Sequence, residues 1–154
     1  PGRERVCYLE IHSGLGPYGY GQLISLQLGS TLERTRRWFG QWVFNPRADR
    51  QPGEAGYREV PGHSSGGFIG FFPEAEVTPV TLEMGTYPPG ASLALLLEEH
   101  VLYRAGDNAP LGKLEAVRAL MQEYHFPVDP DWRVANWCRG WQVIQQAIRG
   151  LAHD

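Results

Sequence analysis

Long apolar runs, cysteine pairs and an excess of charge are what this 154-residue chain lacks. No stretch approaches the roughly 20 apolar residues of a membrane-spanning helix, and the longest, Leu93 to Leu97, stops at Glu98 and Glu99. No membrane association is expected. The formal charge is −3 and the pI about 6.0, and the one basic cluster, Arg34, Arg36 and Arg37, falls where a helix would show it to water. That balance argues against a nucleic-acid partner. The two cysteines, Cys7 and Cys138, stand in apolar patterns without CxxC or CxH spacing. They are predicted to be small buried hydrophobes with no disulfide, in a reducing, cytoplasmic setting. Neither an initiator Met nor a leader-type segment precedes "PGRERVCYLEI", and this abrupt opening into strand-like sequence gives the expectation of a piece of something longer.

The length suits one domain with a real hydrophobic core. Residues 5 to 12 form a mostly apolar run bounded by glycine, read as a strand buried on both faces. Residues 13 to 21 are loop, and "QLISLQL" at 22 to 28 alternates well enough for a second strand, with a short helix as the alternative. "STLERTRRWFG" reads as a helix with Ser30 and Glu33 at capping-box spacing, Gly40 at its end, and Leu32, Trp38 and Phe39 on its apolar face. Residues 45 to 67 are rich in Pro, Gly and charge and read as a long surface loop. A strand is expected from about Glu76 to Met84, with Pro79 arguing for a sheet edge or an irregular start.

A helix follows on Leu93, Leu96, Leu97 and Val101, with Gly106 as its cap. Another runs from Lys113 to His125. The last begins at Asp129 and Pro130 and carries Val134, Trp137, Trp141, Ile144, Ile148 and Leu151 at steps of three and four, read as a packing face. The class is therefore α/β, with two or three strands and C-terminal packing helices.

Two residues stand out for chemistry. In a strand Glu10 and His12 point to the same side, and a carboxylate beside an imidazole fixes its tautomer by accepting one N–H, as second-shell partners of metal-ligating histidines do. Glu83 stands alone in the otherwise uncharged "VTPVTLEMGTYPPG", at a strand end followed by Gly85, where a carboxylate loses hydration unless something uses it. Each also has a plain structural reading, as a hydrogen-bonding strand-end histidine and as a solvated edge glutamate.

The segments "LEIHSGLGPYGYGQL", "TLEMGTYPP", "LLLEEHVLYRAG" and "FPVDPDWRVANWCRGWQVIQQAIRGLA" together resemble the C-terminal half of an uncharacterised, domain-of-unknown-function branch of the zinc carboxypeptidase superfamily. Its corresponding segments are an Asp-Leu-His-Thr-Gly-Leu-Gly-Pro run and a Leu-Glu-Phe-Gly-Thr run. The resemblance implies a partial zinc-carboxypeptidase-like sheet in which His12 is a zinc ligand, Glu10 its second-shell carboxylate in place of Asp, and Glu83 the general base. Ser13, Gly14, Gly16 and Tyr18 then belong to the loop on the substrate side, where Tyr20 and Tyr57 also offer hydroxyls.

The family's other two ligands come from an upstream His-x-x-Glu-type motif, and none of His12, His63, His100, His125 or His153 has Glu three residues on. By the resemblance, the missing N-terminal half of the domain is a partner, and this chain alone binds zinc weakly or not at all. The expected function is that of one portion of a zinc-dependent hydrolase cutting a peptide or an acylated amino acid.

Two other readings compete. A catalytically inactive binding module would fill the cleft between His12 and Glu83 with side chains. A helical interaction domain would expose an apolar stripe on Trp137, Trp141 and Ile144, although in half a domain the same residues would be exposed for want of their cover. His63 reads as a loop hydrogen-bonder before a ligand, and His100 as a satisfied core or boundary histidine.

Overall fold

The computed structural model describes residues 4–49 and 64–153. The fold is α/β. Strands β1 (Arg5–Ser13), β2 (Gly21–Ile24) and β3 (Glu76–Met84) form a sheet of order β1-β3-β2, with helices α1 (Gly29–Phe39), α2 (Ser64–Gly70), α3 (Pro89–Ala105), α4 (Lys113–His125) and α5 (Pro130–His153). Glu76 N–H bonds Glu4 O and Gly14 N–H bonds Met84 O, so β1 and β3 run parallel; Gly85 N–H bonds Tyr20 O, which sets β2 antiparallel to β3.

The expected burial of the two long strands is reversed. β3 is central and buried along eight of its nine residues, whereas β1 is an outer strand of intermediate burial that is exposed at Ile11 and His12. Pro79 is tolerated in the central strand because β2 is only four residues long and pairs with the far end of β3. Beyond that end Arg34 of α1 takes over, its Nη2 donating to Val77 O at 2.9 Å and its Nε to Thr78 Oγ1 at 2.7 Å. A proline that lacks an N–H therefore leaves no ladder bond broken.

The chain divides into two compact units, one of Pro1–His12, Gln22–Leu82 and Cys138–Asp154, the other of Ser13–Gly21 and Glu83–Trp137. In the first, Leu23, Leu32, Phe39, Val43, Val80, Leu82 and Val143 are buried, each contributing about 1.5–3 kcal/mol on the scale of a fully buried aliphatic or aromatic side chain. α1 buries the expected Leu32, Trp38 and Phe39 and ends at Gly40, whose N–H bonds Arg36 O. The expected capping box is absent: the N-cap position is Leu28, and Ser30 already lies inside the first turn. Asn45, fully buried, is satisfied by Gln27 O and by the N–H groups of Arg47 and Ala48, and its own N–H bonds Asp49 Oδ2.

α5 presses on α1 in the same unit, where a Cβ on Gly150 would lie 2.2 Å from Trp38 Cδ2. α2 replaces the last part of the expected loop. Three glycines among its seven residues weaken its local signal, and Phe68, stacked on Tyr8 with ring centroids 4.0 Å apart, holds it to β1. Cys7 and Cys138 are both free; burial pushes the Cys7 thiol up to about 11, whereas Cys138 is exposed and not the buried hydrophobe expected.

In the second unit Met84, Leu102, Val117, Tyr124 and Trp132 are buried. Helices α3 and α4 arise where expected, and Asp129 caps α5 as predicted, its Oδ1 accepting the Asp131 N–H at 2.9 Å. The residues read as the packing face of α3 are instead exposed, as are His100 and most of the three-four series along α5. No helix among the described residues is long and apolar enough to cross a membrane.

Candidate functional site

Alternation along β1 puts Glu10 and His12 on one side of the strand, and the side chains meet: His12 Nε2 lies 2.9 Å from Glu10 Oε1. The imidazole is 44% exposed and the carboxylate 14%, so the ring reaches solvent while its partner is mostly enclosed. Two hydroxyls also hold Glu10. Ser64 Oγ, at the start of α2, donates to Oε1, and Thr81 Oγ1 of β3 approaches Oε2 at 3.4 Å. Sequence reasoning found the Glu10–His12 pair from its spacing and missed Ser64 and Thr81, which reach it across sequence separations of 54 and 71 residues.

Glu83 belongs to the second unit. It is 6% exposed, so its carboxylate needs hydrogen-bond donors to replace water. One is the backbone N–H of Leu15, 3.1 Å from Oε1. The solvated edge position that the bland reading gave Glu83 is thereby excluded.

The glycine loop explains how that donor is presented. Gly14 and Gly16 have φ of 136° and 106°, a region that a side chain disfavours. The loop folds back over Gly85. Gly85 N–H bonds Tyr20 O at 2.9 Å, and Gly85 O accepts from Gly19 N–H at 3.1 Å and from the buried Trp132 Nε1–H at 2.8 Å. A Cβ at Gly85 would lie 1.9 Å from Pro17 O, so only glycine fits under this loop. Gly85 as the seat of the loop was not foreseen; its place two residues after Glu83 was the available signal.

The far end of the loop is tied by hydroxyls. Tyr18 OH donates to Asp129 Oδ2 at 2.9 Å, with its ring 5.4 Å from that of Tyr87. Tyr87 OH donates to Glu123 Oε1, and Glu123 Oε2 accepts the Val128 N–H. Loss of hydration and the bond to Asp129 push the Tyr18 phenol well above its ordinary value, and the bond to Glu123 raises that of Tyr87. Both remain protonated donors at neutral pH. Tyr18 is thus engaged as an anchor of the loop. Ser13 accepts, through its backbone oxygen, a 3.4 Å contact from His125 Nδ1, a group that sequence reasoning had left aside. Tyr20 is exposed, and Tyr57 and His63 lie outside the described residues.

The donor set bears on a metal directly. With Glu10 against Nε2, a metal held by His12 would take Nδ1, the arrangement in which a carboxylate sets the tautomer of a ligating imidazole. Among the described residues no three His, Cys, Asp or Glu side chains gather as a metal site would need. These residues fit one corner of a zinc site, which takes three protein donors.

The chain belongs to DUF2817, a family of proteins of unknown function, whose profile matches residues 1–139. No curated protein and no solved structure matches it.

Proposed function

For this member of the DUF2817 family we propose the role of one portion of a zinc-dependent hydrolase site, of carboxypeptidase or amidohydrolase type, acting on a peptide or acylated amino acid. The observation that supports it most is the pairing of His12 Nε2 with Glu10 Oε1 at 2.9 Å, which prepares the ring to ligate through Nδ1. Zinc, when bound, would supply Lewis-acid polarisation of the scissile carbonyl and a more acidic water. His12 contributes one of the donors; the remaining donors come from the upstream part that the resemblance implies.

Glu83 acts as general base and then general acid. Its Oε1 is oriented by the Leu15 N–H, and the carboxylate takes a proton from the attacking water as the new C–O bond forms. The same proton passes to the amide nitrogen as the C–N bond breaks, so that the products are a carboxylic acid and an amine. The loop held by Gly85 and Tyr18 fixes the donor that orients the carboxylate.

Zinc content and hydrolysis of acylated amino acids, measured on this chain and on the polypeptide extended through any upstream coding sequence, test the reading. Zinc and turnover in the longer form, both lost in His12→Ala and turnover alone lost in Glu83→Gln, are expected. Absence of zinc and turnover from both forms would replace the hydrolase by a catalytically inactive binding module.

A further inference from the structure

Helix α5 carries two apolar faces. One, with Trp132, Val143 and Ala147, is buried within the fold. The other bears Val134, Trp137, Trp141, Ile144, Ile148 and Leu151, whose spacing of 3, 4, 3, 4 and 3 puts them at alternating a and d positions of a heptad pattern. That is the narrow seam along which one helix packs against another, and an ordinary packing face is wider. Yet Val134 is 62% exposed, Trp137 75%, Trp141 57% and Ile148 55%.

We propose that this seam is a homodimer interface, in which α5 of one chain packs antiparallel against α5 of a second copy. The series is complementary to its own reverse. Antiparallel pairing opposes a and d positions, which sets Val134 against Leu151, Trp137 against Ile148 and Trp141 against Ile144, in three layers that recur by symmetry on the other side. Each tryptophan then meets an isoleucine, so large and small volumes interlock; parallel pairing would instead stack Trp137 on Trp137 and Trp141 on Trp141. Antiparallel alignment also sets the two helix dipoles head to tail. Cys138, Gly140, Gln145 and Ala147 flank the seam without charge, and the one charged flank, Arg133, is turned to Pro127 O and the Phe126 ring.

The area is sufficient. An aromatic side chain offers about 150–250 Å², so the exposed stripe presents roughly 500 Å² per chain. Two stripes with their flanking residues reach the roughly 1,200 Å² at which specific interfaces begin. A helix of 24 residues extends about 36 Å, long enough for all six layers. Neither His12 nor Glu83 takes part in this interface, but the upstream half of the proposed hydrolase would compete with a second copy for this face of α5. A polypeptide extended upstream that still dimerises through α5 supports the second copy, and one in which the upstream part covers Trp137 and Trp141 overturns it.

Sedimentation equilibrium of the whole chain at tens of micromolar tests it, alongside tryptophan emission on dilution. The expected mass is twice the 17.3 kDa of one chain, with emission moving to the red as dilution returns Trp137 and Trp141 to water. Trp141→Glu with Ile148→Glu should give the monomer mass and weaken association at least hundredfold. Leu93→Glu with Leu97→Glu, on the exposed face of α3, should leave the dimer intact, and circular dichroism checks that each variant is folded. Because the wild-type measurements need no variant, a misfolded variant leaves the test decisive. A monomeric wild-type chain, emission unchanged by dilution, or a dimer that survives the α5 substitutions while the α3 pair breaks it, would overturn the proposal.

Discussion

The backbone N–H of Leu15 donates to Glu83 Oε1 at 3.1 Å, and this bond ties the glycine loop to the buried carboxylate. Glu83 is enclosed by its strand, and Leu15 is presented by a turn that Gly14 and Gly16 permit. The loop in turn rests on the backbone of Gly85. Perturbing the seat of the loop should therefore move the carboxylate without touching it.

Gly85→Ala is the direct case. Its Cβ would fall 1.9 Å from Pro17 O, and that neighbour is backbone, which cannot rotate aside. Overpacking of this kind destabilises by about 1–3 kcal/mol, or roughly 2–12 °C in Tm for a chain of this size. Thermal unfolding checks the stability, and loss of protection at the Leu15 amide in hydrogen exchange checks the displaced loop.

Arg34→Met should show what allows a proline in the central strand. The variant removes the donors to Val77 O and Thr78 Oγ1, and hydrogen bonds from a charged group contribute about 1.5–3 kcal/mol. A loss of that size in urea unfolding is expected. Restoring β3 with Pro79→Val should not recover it, because the Val77 carbonyl would still lack its donor.

Asp49 supplies a pH dependence. The Arg36 guanidinium, 2.6 Å from Oδ2, holds the carboxyl below its ordinary value, aided by the Asn45 N–H and opposed by partial burial. A depressed folded-state value means that the stabilisation is fully present above the unfolded-state value near 3.8 and fades as pH falls through the lower folded-state value. Asp49→Asn should thus lower Tm at pH 7 and change it progressively less below pH 4. An equal loss at both pH values would contradict this assignment.

Much of this fold was legible because its signals are local. The 3.6-residue period marked α4 and α5, Asp129 before Pro130 marked the start of α5, and the run from Glu76 to Met84 marked β3. Relations between distant segments were not legible. Pro79 pointed to an edge strand, and only the short reach of β2 together with Arg34 makes it compatible with a central one. The leucines of α3 and the tryptophans of α5 have helical spacing, but spacing does not say which apolar face of a helix turns inward. At the site, Glu10 and His12 could be paired because they lie two apart on one strand. Ser64, Thr81, Leu15 and Gly85 could not be placed, since each acts across the fold through a hydroxyl or a backbone group that carries no sequence mark of its role.

In the proposed role His12 would bind a metal through Nδ1, with Glu10 holding Nε2. Zinc titrated into the chain, with every histidine ring nitrogen followed by NMR, tests it most directly. The expected result is weak binding that shifts Nδ1 of His12 while Nε2 keeps the proton it shares with Glu10, with Glu10→Ala reducing the affinity about tenfold. Binding through Nε2, or zinc that gathers at His100, His125 or His153 and leaves His12 unchanged, would contradict the account.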